Sequence, residues 1–201
     1  MKKHDDYLAT SIWYREVIED PYQVIAEYFS YVSIDSFRKK FKGVLIAIEK
    51  DKLYRTDRPT DLLYDFKMIE SVMNAAFIIN HEKKKSPLDI SPSDAFNKNL
   101  YCGRYSSHTD WDYFPRSISM KEFIDPYLAF KKFFKYKEIG EWKNVMERIF
   151  EYAITDASFF EGGLVFDALS VYFHLTKLFE AAHLIDVREV THVGGMIKNR
   201  F

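Results

Sequence analysis

The chain has few of the residues that interrupt or cross-link a fold. Its 201 residues include one Cys, 7 Gly and 6 Pro. Because a single cysteine cannot form a disulfide within the chain, we expect a reducing compartment, the cytoplasm. The scarcity of glycine disfavours a turn-rich β-sandwich or barrel and favours helices.

Long apolar runs and an excess of one charge are also missing. The longest apolar runs, 44–48 and 75–79, are five residues long, whereas a membrane-spanning helix needs roughly 20. We therefore expect no membrane association, and no signal peptide because no apolar stretch follows the first residues. The 29 basic and 30 acidic residues give a net charge of −1, which excludes a polybasic protein and an acidic tail.

Recognisable catalytic motifs are absent as well. The sequence contains no Gly-rich phosphate loop, no nucleophile elbow, no Cys and His metal spacing and no His-Glu-x-x-His run. We therefore expect no cofactor and no metal. The balance is against an enzyme, although these absences leave that question open.

Aromatic residues are what the chain has in excess. They make up 17% of the sequence, within a hydrophobic content of 47%. This apolar surface is enough to offset the entropy that is lost when the chain is ordered. We expect a folded, globular protein.

The sequence also repeats itself. Three pairs of blocks align: 6–18 with 112–124, 20–45 with 125–150, and 62–82 with 164–184. The 60 aligned positions contain 16 identities, against about four expected by chance for ordinary composition. Large rings recur at matched positions, namely Tyr22/Tyr127, Tyr28/Phe133, Phe29/Phe134, Tyr31/Tyr136, Phe37/Trp142 and Phe77/Phe179. The pattern predicts two pseudo-symmetric halves.

Each half has the apolar period of four helices. In the first half we expect helices at about 11–19, 21–32, 34–48 and 61–80, with Asp20 and Ser33 as N-caps and Gln23 closing a capping box. In the second half, Asp125-Pro126 separates the first two helices, the third covers about 139–155, and Gly162-Gly163 opens the fourth.

The predicted fold is therefore all-α, a single globule of two tandem helical halves. The first repeat covers 1–82 and the second covers 112–185. The linker, 83–111, should contain a short helix that starts at the Ser91-Pro92 cap. The tail, 186–201, should be a short turn of helix and a frayed end.

Basic residues form two candidate binding surfaces. A helical wheel predicts two outward-facing arcs: Arg38, Lys39 and Lys42 on one helix, and Lys131, Lys132 and Lys135 on another. If these helices pack side by side, as twofold-related halves allow, the arcs merge into a patch suited to phosphates. The alternative is two ordinary solvated helix faces.

Two matched pairs of titratable residues could carry chemistry. His81 matches His183, and Asp65 matches Asp167, so twofold-related halves could bring either pair together. The helix dipole explains both pairs without chemistry, because histidine suits the end of a helix and aspartate suits its first turn.

A third cluster lies in the linker. His108, Asp110 and Asp112 alternate along a loop and could hold a divalent cation. Asp112 matches Asp6 ahead of the first predicted helix of each half, so a turn or capping role explains it better.

The first functional hypothesis is a non-catalytic binding or adaptor protein whose partner is another macromolecule, expected to be a protein. The alternatives are association with nucleic acid through the basic arcs and Lys83 to Lys85 of the linker, and an enzyme with a site between the two halves. The linker rings, Tyr105 and Trp111 among them, fall outside the helices of the matched blocks and are further binding candidates. The oligomeric state stays open.

Overall fold

The computed structural model describes residues 10–11, 16–55, 57–81, 89–103, 109–155 and 167–198. Eight α-helices lie in this part of the chain: α1 (Pro21–Tyr31), α2 (Ile34–Glu49), α3 (Pro59–His81), α4 (Asp110–Tyr113), α5 (Met120–Ile124), α6 (Tyr127–Tyr136), α7 (Ile139–Ile154) and α8 (Ala168–Glu189). The predicted all-α class is confirmed. None of these helices combines the length and the apolar character needed to cross a bilayer.

Short polar side chains begin the helices at the predicted places. Asp20 accepts a hydrogen bond from the backbone N–H two residues ahead, and Ser33 from the N–H three residues ahead. Gln23 differs from the prediction. Its amide donates to the carbonyl of His192 at 3.0 Å, so it ties α1 to the end of the chain instead of closing a capping box.

The helices pack in corresponding pairs. Helices α1 and α6 each contact both α3 and α8, α2 contacts α8, α7 contacts α3, and α2 contacts α7. If α1, α2 and α3 are exchanged with α6, α7 and α8, the same set of helix contacts results. The lengths also agree, at 11 and 10, 16 and 16, and 23 and 22 residues. The repeat itself stays a prediction.

Buried aromatic rings account for much of the aromatic excess. Phe37 stacks on Phe179, with ring centroids 3.9 Å apart, and Phe133 stacks on Trp142 at 4.2 Å. All four rings are buried. Each such ring removes a large apolar area from water, and the Phe37–Phe179 pair joins the two predicted halves.

The first predicted helix, 11–19, is wrong. The described backbone is extended instead, and β1 (Thr10–Ser11) pairs antiparallel with β2 (Glu16–Val17). This stretch of sequence is rich in β-branched and aromatic residues, which favour extended backbone. The matched stretch of the second half contains α5, so the two copies differ here.

The prediction for the tail is wrong in part. Helix α8 continues to Glu189, which agrees with the expected turn of helix, but a β-hairpin follows, in which β3 (His192–Val193) pairs with β4 (Met196–Ile197). Its turn is Gly194-Gly195, with φ of +56° and +78°, a conformation that glycine adopts without steric cost. The predicted start of the fourth helix at Gly162-Gly163 lies outside the described residues.

The linker contains the expected cap but a tighter helix. Ser91 and Asp94 form a capping box at the start of a 3₁₀ helix, Pro92–Phe96, and a second 3₁₀ turn, Lys98–Leu100, follows.

Candidate functional site

A cavity of about 340 Å³ lies between α1, α2 and α3. Six aromatic rings line it: Tyr28, Tyr31, Phe37, Phe41, Tyr64 and Phe66. Aliphatic side chains complete the walls, and the polar groups are few, with Lys40 and Asp65 the charged ones. Mostly apolar walls with a few convergent polar groups are the usual composition of a ligand site.

Helical spacing brings these side chains together. The apolar stripes that face the cavity are Phe37, Phe41 and Val44 on α2, and Leu62, Phe66 and Ile69 on α3. Their three-and-four spacing keeps each stripe on one face of its helix. Lys40 and Asp65 each come one residue before a ring of the stripe, so both lie at its edge.

Lys40 lies between two carboxylates. Its Nζ is 2.6 Å from Oδ2 of Asp65 and 3.0 Å from Oδ2 of Asp57. Partial burial lowers the pKa of Lys40, but hydrogen bonds to the two carboxylates outweigh it, so the pKa is raised overall. For Asp65, burial is the largest influence and raises the pKa, while Lys40 acts in the opposite direction.

Tyr28 places a phenol among the apolar walls. The residue is only 3% exposed, and its hydroxyl makes no hydrogen bond to another described residue. Burial raises the pKa of this phenol well above its usual value, and the Asp65 carboxylate raises it further. The hydroxyl therefore keeps its capacity to donate and accept hydrogen bonds for a group that enters the cavity.

Two polar residues of the cavity have apolar counterparts in the second half. Phe133 stands where the first half has Tyr28, and Val145 stands where it has Lys40. Trp142 stacks on Phe133 at 4.2 Å and donates from Nε1 to its carbonyl at 3.2 Å. The aligned helices of the second half therefore pack without a phenol or an amine at the positions of Tyr28 and Lys40.

The cavity is suited to binding more than to covalent chemistry. At neutral pH the phenol of Tyr28 and the amine of Lys40 both keep their protons, so neither is a nucleophile or a base. Cys102 is equally unsuited, because burial and then Asp110 raise the pKa of its thiol to about 11. No group of three or more potential metal ligands occurs in the described part of the chain.

Arg38 does not belong to an exposed arc. The wheel places it on the outer face of α2, but the residue is buried. Its Nε and Nη2 bind Oε1 of Glu180 at 3.0 and 2.6 Å, and Nη1 donates to the carbonyl of Asp112 at 2.8 Å. Glu180 also accepts from the backbone N–H groups of residues 116–118. The loop after α4 covers this face, and the ion pair fastens it to α2 and α8.

The other basic candidates are exposed but separated. They are Lys39 and Lys42 on α2, and Lys131, Lys132 and Lys135 on α6. Lys39 pairs with Asp35 at 2.6 Å, and Lys132 pairs with Glu122 at 2.8 Å. The principal helix contacts in the described residues do not pair α2 with α6. A merged basic patch therefore lacks the helix packing that it needs.

Trp111 belongs to an exposed row of rings. It stacks on Phe114 with centroids 5.6 Å apart, and Phe114 stacks on Phe96 at 6.2 Å. Both outer rings of this row are exposed. Tyr105 lies outside the described residues.

The suggested metal loop is only partly described. His108 lies outside the described residues. Asp112 forms a capping box with Thr109 at the start of α4, which agrees with the capping role that the sequence favours.

The matched histidines have different surroundings. His81 is exposed at the end of α3, as a dipole role predicts. His183 is buried inside α8, and its Nε2 lies 3.0 Å from the carbonyl oxygen of Tyr101. Burial lowers the pKa of His183 to about 3. Since a carbonyl can only accept, Nε2 carries the proton, and Nδ1 has no partner among the described residues.

The matched aspartates also diverge. Asp167 is the exposed N-cap of α8 and accepts from the backbone N–H of Ser170 at 3.0 Å. Asp65 lies beyond the first turn of α3, because that helix begins at Pro59, and its carboxylate binds Lys40. No hydrogen bond or ion pair joins Asp65 to Asp167 in the described structure.

Sequence reasoning missed the two polar residues that distinguish this cavity. The sequence singles out Tyr28 only as a ring that recurs at a matched position, and it assigns Lys40 to neither arc. The sequence does contain a pattern that could have pointed to them. Tyr28 and Lys40 are polar, while the residues at the matched positions, Phe133 and Val145, are apolar.

No protein-family model, curated protein or solved structure matches this chain.

Proposed function

We propose that this is a non-catalytic binding protein that docks another protein, and that the cavity between α1, α2 and α3 receives one side chain of that partner. The observation that carries the proposal is Tyr28, a buried residue whose phenol has no described hydrogen-bond partner, in a cavity where the matched positions of Tyr28 and Lys40 carry Phe133 and Val145 in the second half.

The size of the cavity supports a single inserted group. Its volume of about 340 Å³ lies at the small end of the roughly 300–1,000 Å³ range of ligand pockets. Two of its rings also face solvent: Tyr31 is 72% exposed and Tyr64 is 47% exposed. Exposed tyrosines around a pocket are typical of protein interfaces, where a few anchors supply most of the binding energy.

Nucleic-acid association is the weaker alternative. It depends on Lys131 and Lys135 on α6 and on Lys39 and Lys42 on α2, and these two helices are not principal neighbours in the described structure. A site between the two halves, the enzyme alternative, has less support, because every residue that lines the cavity belongs to 28–69. The single cysteine supports a reducing compartment, so we place the protein in the cytoplasm.

The test starts from peptides selected on the protein itself. Peptides from a random library displayed on phage are selected on the full chain, synthesised, and titrated by fluorescence polarisation. We expect Tyr31→Ala to weaken their binding by at least ten-fold, as the loss of an anchor ring does. Tyr136→Ala, the same change at the matched exposed tyrosine, is the control and should leave binding within two-fold.

Chemical-shift mapping locates the peptide. Shifts that concentrate on α1, α2 and the first half of α3 support the proposal. Peptides that bind elsewhere and are indifferent to Tyr31→Ala would overturn it, and binding that depends on Lys131 and Lys135 would favour the nucleic-acid alternative.

A further inference from the structure

The charged groups at the cavity carry a net negative charge. Of the described residues that line it, Lys40 is the only base, and both Asp57 and Asp65 already bind it. These three groups together carry a charge of −1. The neighbouring pair of Arg58 and Asp61, 2.8 Å apart, is neutral as a whole. The field therefore favours an incoming positive charge over a negative one.

The phenol of Tyr28 lies in the same field. The carboxylate of Asp65 acts on it directly and disfavours the phenolate. A phenol oxygen accepts hydrogen bonds as well as donating one. An N–H group of a cation that entered the cavity could therefore donate to the Tyr28 oxygen while it approached Asp65.

The aromatic walls add a second attraction. Six rings line the cavity, and the face of an aromatic ring attracts an ammonium or guanidinium within about 6 Å of its centroid. Burial strengthens this attraction because water no longer competes for the cation. An acidic or phosphorylated group would gain nothing from these faces and would meet the excess of carboxylate charge.

We infer that the group entering the cavity is a cation on an apolar stem, the side chain of a lysine or an arginine of the protein partner. This inference rests on the proposed function and adds the chemistry of the inserted side chain. The stem lies along Phe37 and Phe66, and the charged end reaches Tyr28 and Asp65.

The test uses single amino acids whose ends are capped. Nα-acetyl-lysine amide, Nα-acetyl-arginine amide, Nα-acetyl-norleucine amide and Nα-acetyl-glutamate amide are titrated separately into the ¹⁵N-labelled full chain. We expect the lysine or the arginine probe to shift the amides of cavity residues with at least ten-fold higher affinity than norleucine, which has the stem without the charge. The glutamate probe should give no saturable shift.

Variants at matched positions test whether the preference for a cationic probe depends on Asp65. Asp65→Asn should reduce the preference for the cationic probe at least five-fold. Asp167→Asn makes the same change at the matched position, where asparagine also caps a helix, and should leave the preference intact. If the amide spectrum shows that Asp65→Asn does not fold, Tyr28→Phe replaces it, with at least a three-fold loss of affinity for the cationic probe expected.

The outcomes separate this inference from the proposed function. Equal affinity for lysine and norleucine overturns the inference, while binding of the selected peptides at the cavity would still support the proposed function. A fifth probe, benzyltrimethylammonium, represents a free organic cation. If it binds more than ten-fold more tightly than both cationic amino acids, the site is one for a small molecule and the inference of an inserted side chain fails.

Discussion

The hydroxyl oxygens of Tyr22 and Tyr127 lie 3.1 Å apart and join α1 to α6. These two tyrosines occupy matched positions in the sequence alignment, and contact between a residue and its own counterpart is what a twofold axis between two halves produces. Tyr127 also donates to the carboxylate of Glu189. Its only hydroxyl proton is used there, so Tyr22 is the donor in the pair.

Removing the hydroxyl of Tyr127 should cost more than removing that of Tyr22. We expect Tyr22→Phe to lower the free energy of unfolding by about 1 kcal/mol and Tyr127→Phe by about 2 kcal/mol, because the second change also removes a donor to a carboxylate. Urea denaturation of both variants and of the double variant measures the coupling. Strictly additive effects would show that the two hydroxyls do not interact.

Glu180→Gln should be among the most destabilising single changes in the chain. It leaves the buried Arg38 without a counter-charge and turns an amide donor towards the N–H groups of residues 116–118. Breaking a buried pair in this way costs about 3–5 kcal/mol. Lys42→Gln on the exposed face of α2 is the control, with a change under about 0.5 kcal/mol. A similarly small effect of Glu180→Gln in a chemical denaturation curve would contradict the assignment.

Tyr28→Phe should not destabilise the protein. Its hydroxyl lacks a described partner, so its removal should leave the free energy of unfolding unchanged or raise it by up to about 1 kcal/mol. The reverse change at the matched position, Phe133→Tyr, adds a hydroxyl to a fully packed ring and should cost about 1–3 kcal/mol. Thermal melts of both variants decide this, and a clear loss of stability in Tyr28→Phe would mean that the phenol is structural.

Because of His183, the free energy of unfolding should decrease as the pH falls below about 6.5. Its pKa is about 3 in the folded chain and about 6.5 in an unfolded one. Between these values the unfolded chain binds more protons, so acidification favours unfolding by up to about 1.4 kcal/mol per pH unit. The pKa of Glu122 is lowered to about 2 although burial opposes this, so Glu122 loses its contribution only below about pH 4.5.

The free energy of unfolding, measured between pH 7 and 5, tests whether His183 causes this pH dependence. His183→Gln should reduce the slope of the free energy against pH. His81→Gln, the same change at the matched exposed histidine, should not. His174, whose pKa is also lowered by burial, adds a smaller effect of the same sign in all three proteins. Equal slopes in the parent chain and in His183→Gln would exclude His183 as the source.

Helices with strong local signals were predictable from the sequence. The caps at Asp20 and Ser33 and the apolar stripe of α2 depend on residues within a few positions of one another, and all are present. Leu169 and Phe173 of α8 have the spacing of one apolar helix face, yet both are exposed. The burial of a helix face depends on which other elements reach it.

The cavity could not be predicted, for a related reason. Its existence depends on the volume left between three helices after their side chains have packed, and no local pattern encodes that volume. Tyr28 has the period of a core residue, and only the tertiary structure shows that it lines a cavity together with Asp65 and Lys40.

The sequence by itself determined the helical class, most helix positions and the inward faces of α2 and α6, because caps and apolar periods are local. The tertiary structure decided which charges are buried. Arg38 and Lys39 are neighbours on one helix, yet Arg38 is inside and Lys39 is exposed. The reason is a carboxylate that lies 142 residues away in the sequence: only folding brings Glu180 to Arg38, and a buried cation is stable only with such a partner.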